Sequence, residues 1–131
     1  MRMVRDFHVA VGARVAEDLS YVPGDALTRL RMLQEEVDEY RTACDAAYLR
    51  MADDYSMIAI ADALADIVYV AYGGALEHGI DLDAVLREVH RSNMSKVRSD
   101  GSVLKRADGK VIKPATYNPP DLRKALGLNA D

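Results

Sequence analysis

Residues 55–76 read YSMIAIADALADIVYVAYGGAL, a run whose only charged residues are Asp62 and Asp66. Read as a helix, it is apolar nearly all round. Such a helix must be central, either within one bundle or sandwiched in a dimer. The two aspartates are four apart and so share one helix face. No Lys, Arg or His lies in the run to pair with them. Unpaired carboxylates in apolar surroundings are costly, and are usually paired, protonated or bound to metal. The run is long enough to span a bilayer, but two central aspartates argue against that.

Working outward, three more helices are expected. The first covers roughly residues 2–11 and ends near Gly12. A Pro23-Gly24-Asp25 break starts the second, with Asp25 as its N-cap. Leu27, Leu30, Leu33, Val37, Tyr40 and Cys44 recur at three- and four-residue steps, carrying that helix to about Arg50. Asp53 and Asp54 suit the start of the central helix, which continues to His78 and stops at Gly79. Gly73-Gly74 near its end would kink it or allow a close helix contact. Asp81 caps a fourth helix running to about Val97, with Leu82, Val85, Leu86 and Val89 on one stripe. The tail differs in kind. Val103-Leu104 and Val111-Ile112 flank Ala107-Asp108-Gly109, a hairpin signal, and Pro114, Pro119 and Pro120 forbid regular structure beyond it. The expected class is all-α, of four-helix type. Residues 1–98 form the helical domain, and residues 99–131 a Pro-containing tail packed on it.

Composition fits a single small domain: 131 residues, 50% hydrophobic, 29% charged. Six Met, one Phe and no Trp suit an aliphatic helical core. A lone Cys44 has no partner within the chain for a disulfide, and its place in a helical stripe marks it as core. A reducing, cytoplasmic setting follows. The opening residues MRMVRDFHVAVGARVAEDL lack the sustained apolar stretch of a secretory leader. Charge is unevenly spread. Between Lys96 and Lys113 six cations face two acids, so that stretch carries +4 while the whole chain carries −4. The remainder is therefore −8. An acidic body with a basic segment could hold metal on one side and phosphates on the other, although charge runs are more often solvated faces.

Three groups of residues carry candidate chemistry. Glu35, Glu36 and Glu39 cover an arc of roughly 100° on the second helix. Taken alone, an acidic cluster opposite a Leu stripe is a solvated face. Asp62 and Asp66 change that balance, because a second helix now presents carboxylates too. These aspartates can instead bond to Ser, Tyr or backbone groups, or pair with a distant Arg. Oxygen-only donors on two helices suit a hard divalent cation, most often Mg²⁺. Asn93 and Lys96 continue the apolar stripe of the fourth helix, where polar residues are out of place. Either the helix leaves the core there, or an amide and an ammonium are presented to a base or sugar and to phosphate. His8, His78 and His90 are widely spaced and fit ordinary structural or surface roles.

These residues match a family. EEVDE at 35–39 has the EExxE form, and the second acidic helix ends in Ala65-Asp66-Ile67-Val68-Tyr69. This resembles the all-α nucleoside triphosphate pyrophosphohydrolases: the MazG-like proteins, dimeric dUTPases and phosphoribosyl-ATP pyrophosphohydrolase. DALADIVYVAYGGALEHGIDLDAVLREVHRSNMSKV at 62–97, VRDFHVAVG at 4–12 and DGKVIKPATYNPPDL at 108–122 look especially like the small phosphoribosyl-ATP pyrophosphohydrolase-like branch. The resemblance runs from about Val4 to Leu122. It implies that Mg²⁺ or Mn²⁺ on the helix carboxylates binds a triphosphate and that water attacks between the α and β phosphates. Glu35, Glu36, Glu39 and Asp66 would be catalytic metal ligands, with Asp62 beside them. Asn93 and Lys96 would contact the nucleotide, and Lys113 would close over its phosphates. Self-association as a homodimer or dimer of dimers is implied; no nucleic-acid or membrane partner is expected. One departure stands out. The family's second helix reads ExxD, and the Glu position is here Ala63, with Asp62 one residue earlier. Two alternatives remain: the histidine-pathway phosphoribosyl-ATP enzyme itself, or a non-catalytic helical oligomer that binds nucleotides.

Overall fold

The structure, a computed structural model, describes residues 2–128. Its helices are α1 (Arg2–Ala10), α2 (Pro23–Leu49), α3 (Asp54–Glu77), α4 (Leu82–Met94) and the one-turn α5 (Leu122–Ala125). No strand forms among the described residues, so the class is all-α as expected. The chain separates into two compact units, one up to Ile80 and one from Asp81 onward. This grouping places α4 with the tail. Residues 129–131, the end of the expected tail, lie outside the described residues.

The first unit is organised by α3. Its buried positions include Ser56, Ala63 and Val70 at seven-residue steps, followed by Gly73 to Leu76. Ala43 and Ala47 are the buried residues of α2. Small residues on both sides let the two helices pack closely along their length. The pair is antiparallel. The short 50–53 connection closes one end, and Arg29 meets Glu77 in an ion pair at the other. Arg29 Nε also donates to Glu77 Oε2 at 3.2 Å. The arginine lies across a glycine floor. A Cβ on Gly73 would stand 2.6 Å from Arg29 Nη1 and 2.8 Å from Nε2 of His8, and one on Gly74 3.0 Å from Arg29 Cγ. The glycine pair therefore serves close contact. His8 of α1 is buried there, with Nδ1 3.1 Å from the carbonyl oxygen of Arg14.

The C-terminus of α3 is closed by the chain between α1 and α2. Ala16 N donates to the Leu76 carbonyl at 2.9 Å and Ser20 N to that of His78 at 3.0 Å. Gly79 then adopts φ +68, and a Cβ there would meet the Asp18 carbonyl oxygen at 2.2 Å. The expected stop at Gly79 is confirmed. Of the two acids expected at the start, Asp53 is the N-cap and accepts from Ser56 N at 2.9 Å, while Asp54 is the first helical residue.

Several expectations are corrected. Asp25 is not the N-cap of α2; the helix starts at Pro23 after an uncapped Val22, and Asp25 lies in the first turn. Proline at the helix start has its φ preset and no N–H to satisfy. The Leu stripe of α2 is not its buried face. Leu27 is 58% and Leu30 61% exposed, Val37 is exposed, and Cys44 is half-buried. A close seam admits Ala, so the alanine side of α2 turns to α3 and the leucines turn out. Helix α3 is likewise uncovered on one side within the chain: Ile58 is 69% and Val68 53% exposed. Length and composition alone would let α3 cross a membrane. However, it packs along α2 and carries two carboxylates at mid-length, which a bilayer disfavours.

In the second unit Asp81 caps α4, accepting from Ala84 N at 3.0 Å. The helix ends at Met94, three residues before the expected Val97. The tail contains the expected turn in minimal form: a single antiparallel bridge, Lys105 to Val111, around Gly109 at φ +81. Regular structure does resume after the prolines. Asp121 accepts from Lys124 N at 3.0 Å and caps α5. Arg91 and Glu88 of α4 hold this segment, since Arg91 Nη2 donates to the Pro119 carbonyl at 3.0 Å and Glu88 Oε1 accepts from Asp121 N at 2.7 Å.

The Arg29–Glu77 pair is mostly shielded, with side chains 17% and 11% exposed. Arg29→Ala should cost about 2–3 kcal/mol in urea unfolding, because Glu77 loses its partner in a poorly solvated site. The double variant Arg29→Leu/Glu77→Leu should recover most of that loss.

Candidate active site

Helix geometry sets the five expected metal ligands on two facing helices of the first unit. Glu35, Glu36 and Glu39 belong to α2, Asp62 and Asp66 to α3. Glu36 is half-buried on the side of α2 that faces α3, while the other four are exposed. Asp62 and Asp66 are therefore not enclosed in apolar surroundings, contrary to the sequence expectation, because the seam buries their neighbour Ala63 instead. The carboxyl of Glu36 is held above its ordinary value of 4.5, first by burial and then by Glu39, Asp66, Glu35 and Asp62 in turn. All five acids thus share one electrostatic neighbourhood. None closes an ion pair with Lys, Arg or His among the described residues. No three of the described His, Cys, Asp and Glu side chains are gathered tightly enough to enclose a metal ion. The donor chemistry nevertheless fits a hard divalent cation, with oxygens only, mutual repulsion and no counter-charge.

The three expected substrate residues meet in the second unit. Lys96 Nζ donates to Asn93 Oδ1 at 2.7 Å. The ammonium groups of Lys96 and Lys113 both lie over the ring of Tyr117, at 5.7 and 4.6 Å from its centroid. The polar positions at the end of the α4 stripe therefore meet the basic tail. Sequence reasoning missed Tyr117 and the serines that seat it. Asn118 N donates to Ser95 Oγ at 2.8 Å, and Ser95 Oγ donates to the Ser92 carbonyl at 2.7 Å. Ser92 is buried. The phenol of Tyr117 is lowered from its usual range by hydrogen bonding to Ser92 and by the charges of Lys113 and Lys96. The sequence around Tyr117, PATYNPP at 114–120, carries no spacing that points to Ser92 or Lys96.

All-helical architecture with carboxylates on two facing helices defines the class: a MazG-like all-α NTP pyrophosphohydrolase superfamily protein. Within that class the chain belongs to the phosphoribosyl-ATP pyrophosphohydrolase family, which matches residues 4–93. The match includes all five carboxylates and Asn93, and stops before Lys96, Lys113 and Tyr117. It supports pyrophosphohydrolase chemistry on a nucleotide-like substrate. No curated protein matches the chain.

The raised Glu36 carboxyl has a pH consequence. The folded state holds its proton to higher pH than the unfolded chain, so stability falls as pH rises from 4.5 through the folded-state value. Above that window the penalty is complete. In chelator, Glu36→Gln should therefore melt at a higher temperature than the native protein at pH 7. The difference should vanish below the ordinary Glu value. A thermal melt series across pH checks both arms.

Proposed function

We propose that this protein hydrolyses nucleoside triphosphates, deoxy or non-canonical forms included, to nucleoside monophosphate and pyrophosphate, clearing unwanted nucleotides from the cytoplasmic pool. The observation that carries this reading is the electrostatic strain on Glu36. Four further carboxylates from two helices crowd it, and none of the five has an ion-pair partner among the described residues. Such a group makes sense where a metal and a polyphosphate meet. Glu35, Glu36, Glu39 and Asp66, with Asp62, would hold Mg²⁺, or Mn²⁺ in its place. The ion, when bound, supplies charge neutralisation for the phosphates and activation of water. The protein's own part is positioning: phosphoryl transfer needs alignment and charge balance more than covalent help. Asn93 would bond the base or sugar, and Lys96 and Lys113 the phosphates.

A second reading is favoured by the family match itself. The matched family is that of phosphoribosyl-ATP pyrophosphohydrolase, the enzyme of histidine biosynthesis. Both reactions break the same α–β phosphoanhydride bond and differ in what lies beyond the nucleotide. The triphosphate reading draws its support from the chain beyond residue 93, where the tail resembles the MazG-like branch. The uncovered apolar side of α3 and the outward leucines of α2 support a homodimer or dimer of dimers. A groove of about 360 Å³ lined by Met3, Val4, Ala65, Val68, Tyr69 and Tyr72 lies on the same unit.

A panel of canonical and damaged nucleoside triphosphates, run beside phosphoribosyl-ATP with Mg²⁺, decides between the readings. Monophosphate plus pyrophosphate from the triphosphates, with phosphoribosyl-ATP a poor substrate, is expected. Glu36→Gln and Asp66→Asn should each lower kcat by roughly 100-fold or more, the scale of losing a preorganised charge contact. Full turnover in excess chelator would remove the metal from the scheme. A monodisperse monomer in light scattering at micromolar concentration would remove the oligomer.

A further inference from the structure

We propose that Tyr117 is a positioning residue for the polyphosphate of the substrate, its ring holding the ammonium groups of Lys96 and Lys113 as one paired anion site. The inference rests on the pyrophosphohydrolase reading and adds to it a residue outside the family-matched segment. Two ammonium groups repel, and flexible lysines on a surface normally stay apart in water. Here one ring carries both, at 5.7 and 4.6 Å from its centroid. Neither lysine has a carboxylate partner among the described residues. A cation over an aromatic face keeps its charge available while losing freedom. The pair therefore presents an unspent double positive charge, which fits a diphosphate or triphosphate better than a single carboxylate or monophosphate.

The chain that carries the ring is held on both sides of it. On one flank of the chain Asn118 N donates to Ser95 Oγ, and on the other Thr116 Oγ1 donates to the Ser95 carbonyl at 3.4 Å. Lys96 is further aimed by its 2.7 Å bond to Asn93 Oδ1. Asn93 comes from the last turn of α4 and Lys96 from just past its end, whereas Lys113 and Tyr117 come from the tail, so tail and helix must be docked for the site to exist. That dependence gives the serine contacts a purpose beyond stability.

The test uses the full-length protein and inorganic tripolyphosphate as probe, with binding read by calorimetry and kcat and KM read on the best triphosphate substrate. Tyr117→Leu should weaken tripolyphosphate binding about fivefold to tenfold and raise KM by a similar factor, the scale of a cation–aromatic contact. The loss in kcat should be smaller. Tyr117→Phe, which keeps the ring, should restore most of the affinity. Lys113→Ala should weaken binding comparably, and its effect should shrink when Tyr117 is already Leu, because the two act as a unit. Binding that is indifferent to Tyr117→Leu, additive losses in the double variant, or no tripolyphosphate binding by the native protein would each overturn the assignment. Equal losses in the Leu and Phe variants would overturn the role of the ring. If no nucleotide is hydrolysed yet tripolyphosphate affinity still follows the ring, the enzymatic reading falls and the anion site stands. Should Tyr117→Leu melt early, the Phe and Lys113→Ala variants alone decide the matter.

Discussion

Close approach of α2 and α3 is the constraint on which the rest of the first unit depends. Alanine, serine and glycine line the seam, so the two backbones come together with little side-chain bulk between them. At one end Gly73 and Gly74 leave room for the Arg29 side chain, which reaches Glu77 across α3. At the other end a short connection and the Asp53 cap set the register. Any shift along the seam would move Arg29 off its glycine floor. Because the register is held at both ends, the acids of α2 are fixed opposite those of α3.

That juxtaposition is unfavourable in itself. Burial and four neighbouring carboxylates all push Glu36 toward its protonated form. Several acids elsewhere have cationic partners. Glu88 is drawn down to about 2, first by its bond with Arg91 and then by the Asp121 backbone N–H. Arg50 neutralises Asp53, and Arg41 neutralises Asp38. Against these paired acids, the five-carboxylate cluster is a concentration of like charge without an ion-pair partner among the described residues.

The second unit uses hydrogen bonds where the first uses packing. Its tail is held by Arg91, Glu88 and Ser95 of the α4 region and by one backbone bridge. Such contacts are individually modest in water. They place Tyr117 and Lys113 beside residues of α4 while burying few apolar groups, and local opening of a segment held in this way is comparatively easy.

The sequence by itself determined the helical class, the span of α3, its acidic start at Asp53-Asp54 and Gly79 stop, and the two acidic runs. These are local properties: periodicity, capping and a glycine at positive φ act within a few residues. It also indicated, through resemblance, the family that the match over 4–93 establishes. Which face of α2 is buried was beyond its reach. Leu27, Leu30 and Val37 form the better apolar stripe, and only the demand of a close seam explains why Ala43 and Ala47 displace them. The exposure of Asp62 and Asp66 follows from the same choice, since Ala63 takes the buried position between them. Tyr117 was invisible for a different reason. Its partners Lys96 and Ser92 are more than twenty residues away, and a lone tyrosine among prolines has no period to betray it. Long-range docking alone decided that it gathers two lysines around one ring, because only tertiary structure brings charges from beyond a helix end and from a tail to the same aromatic ring.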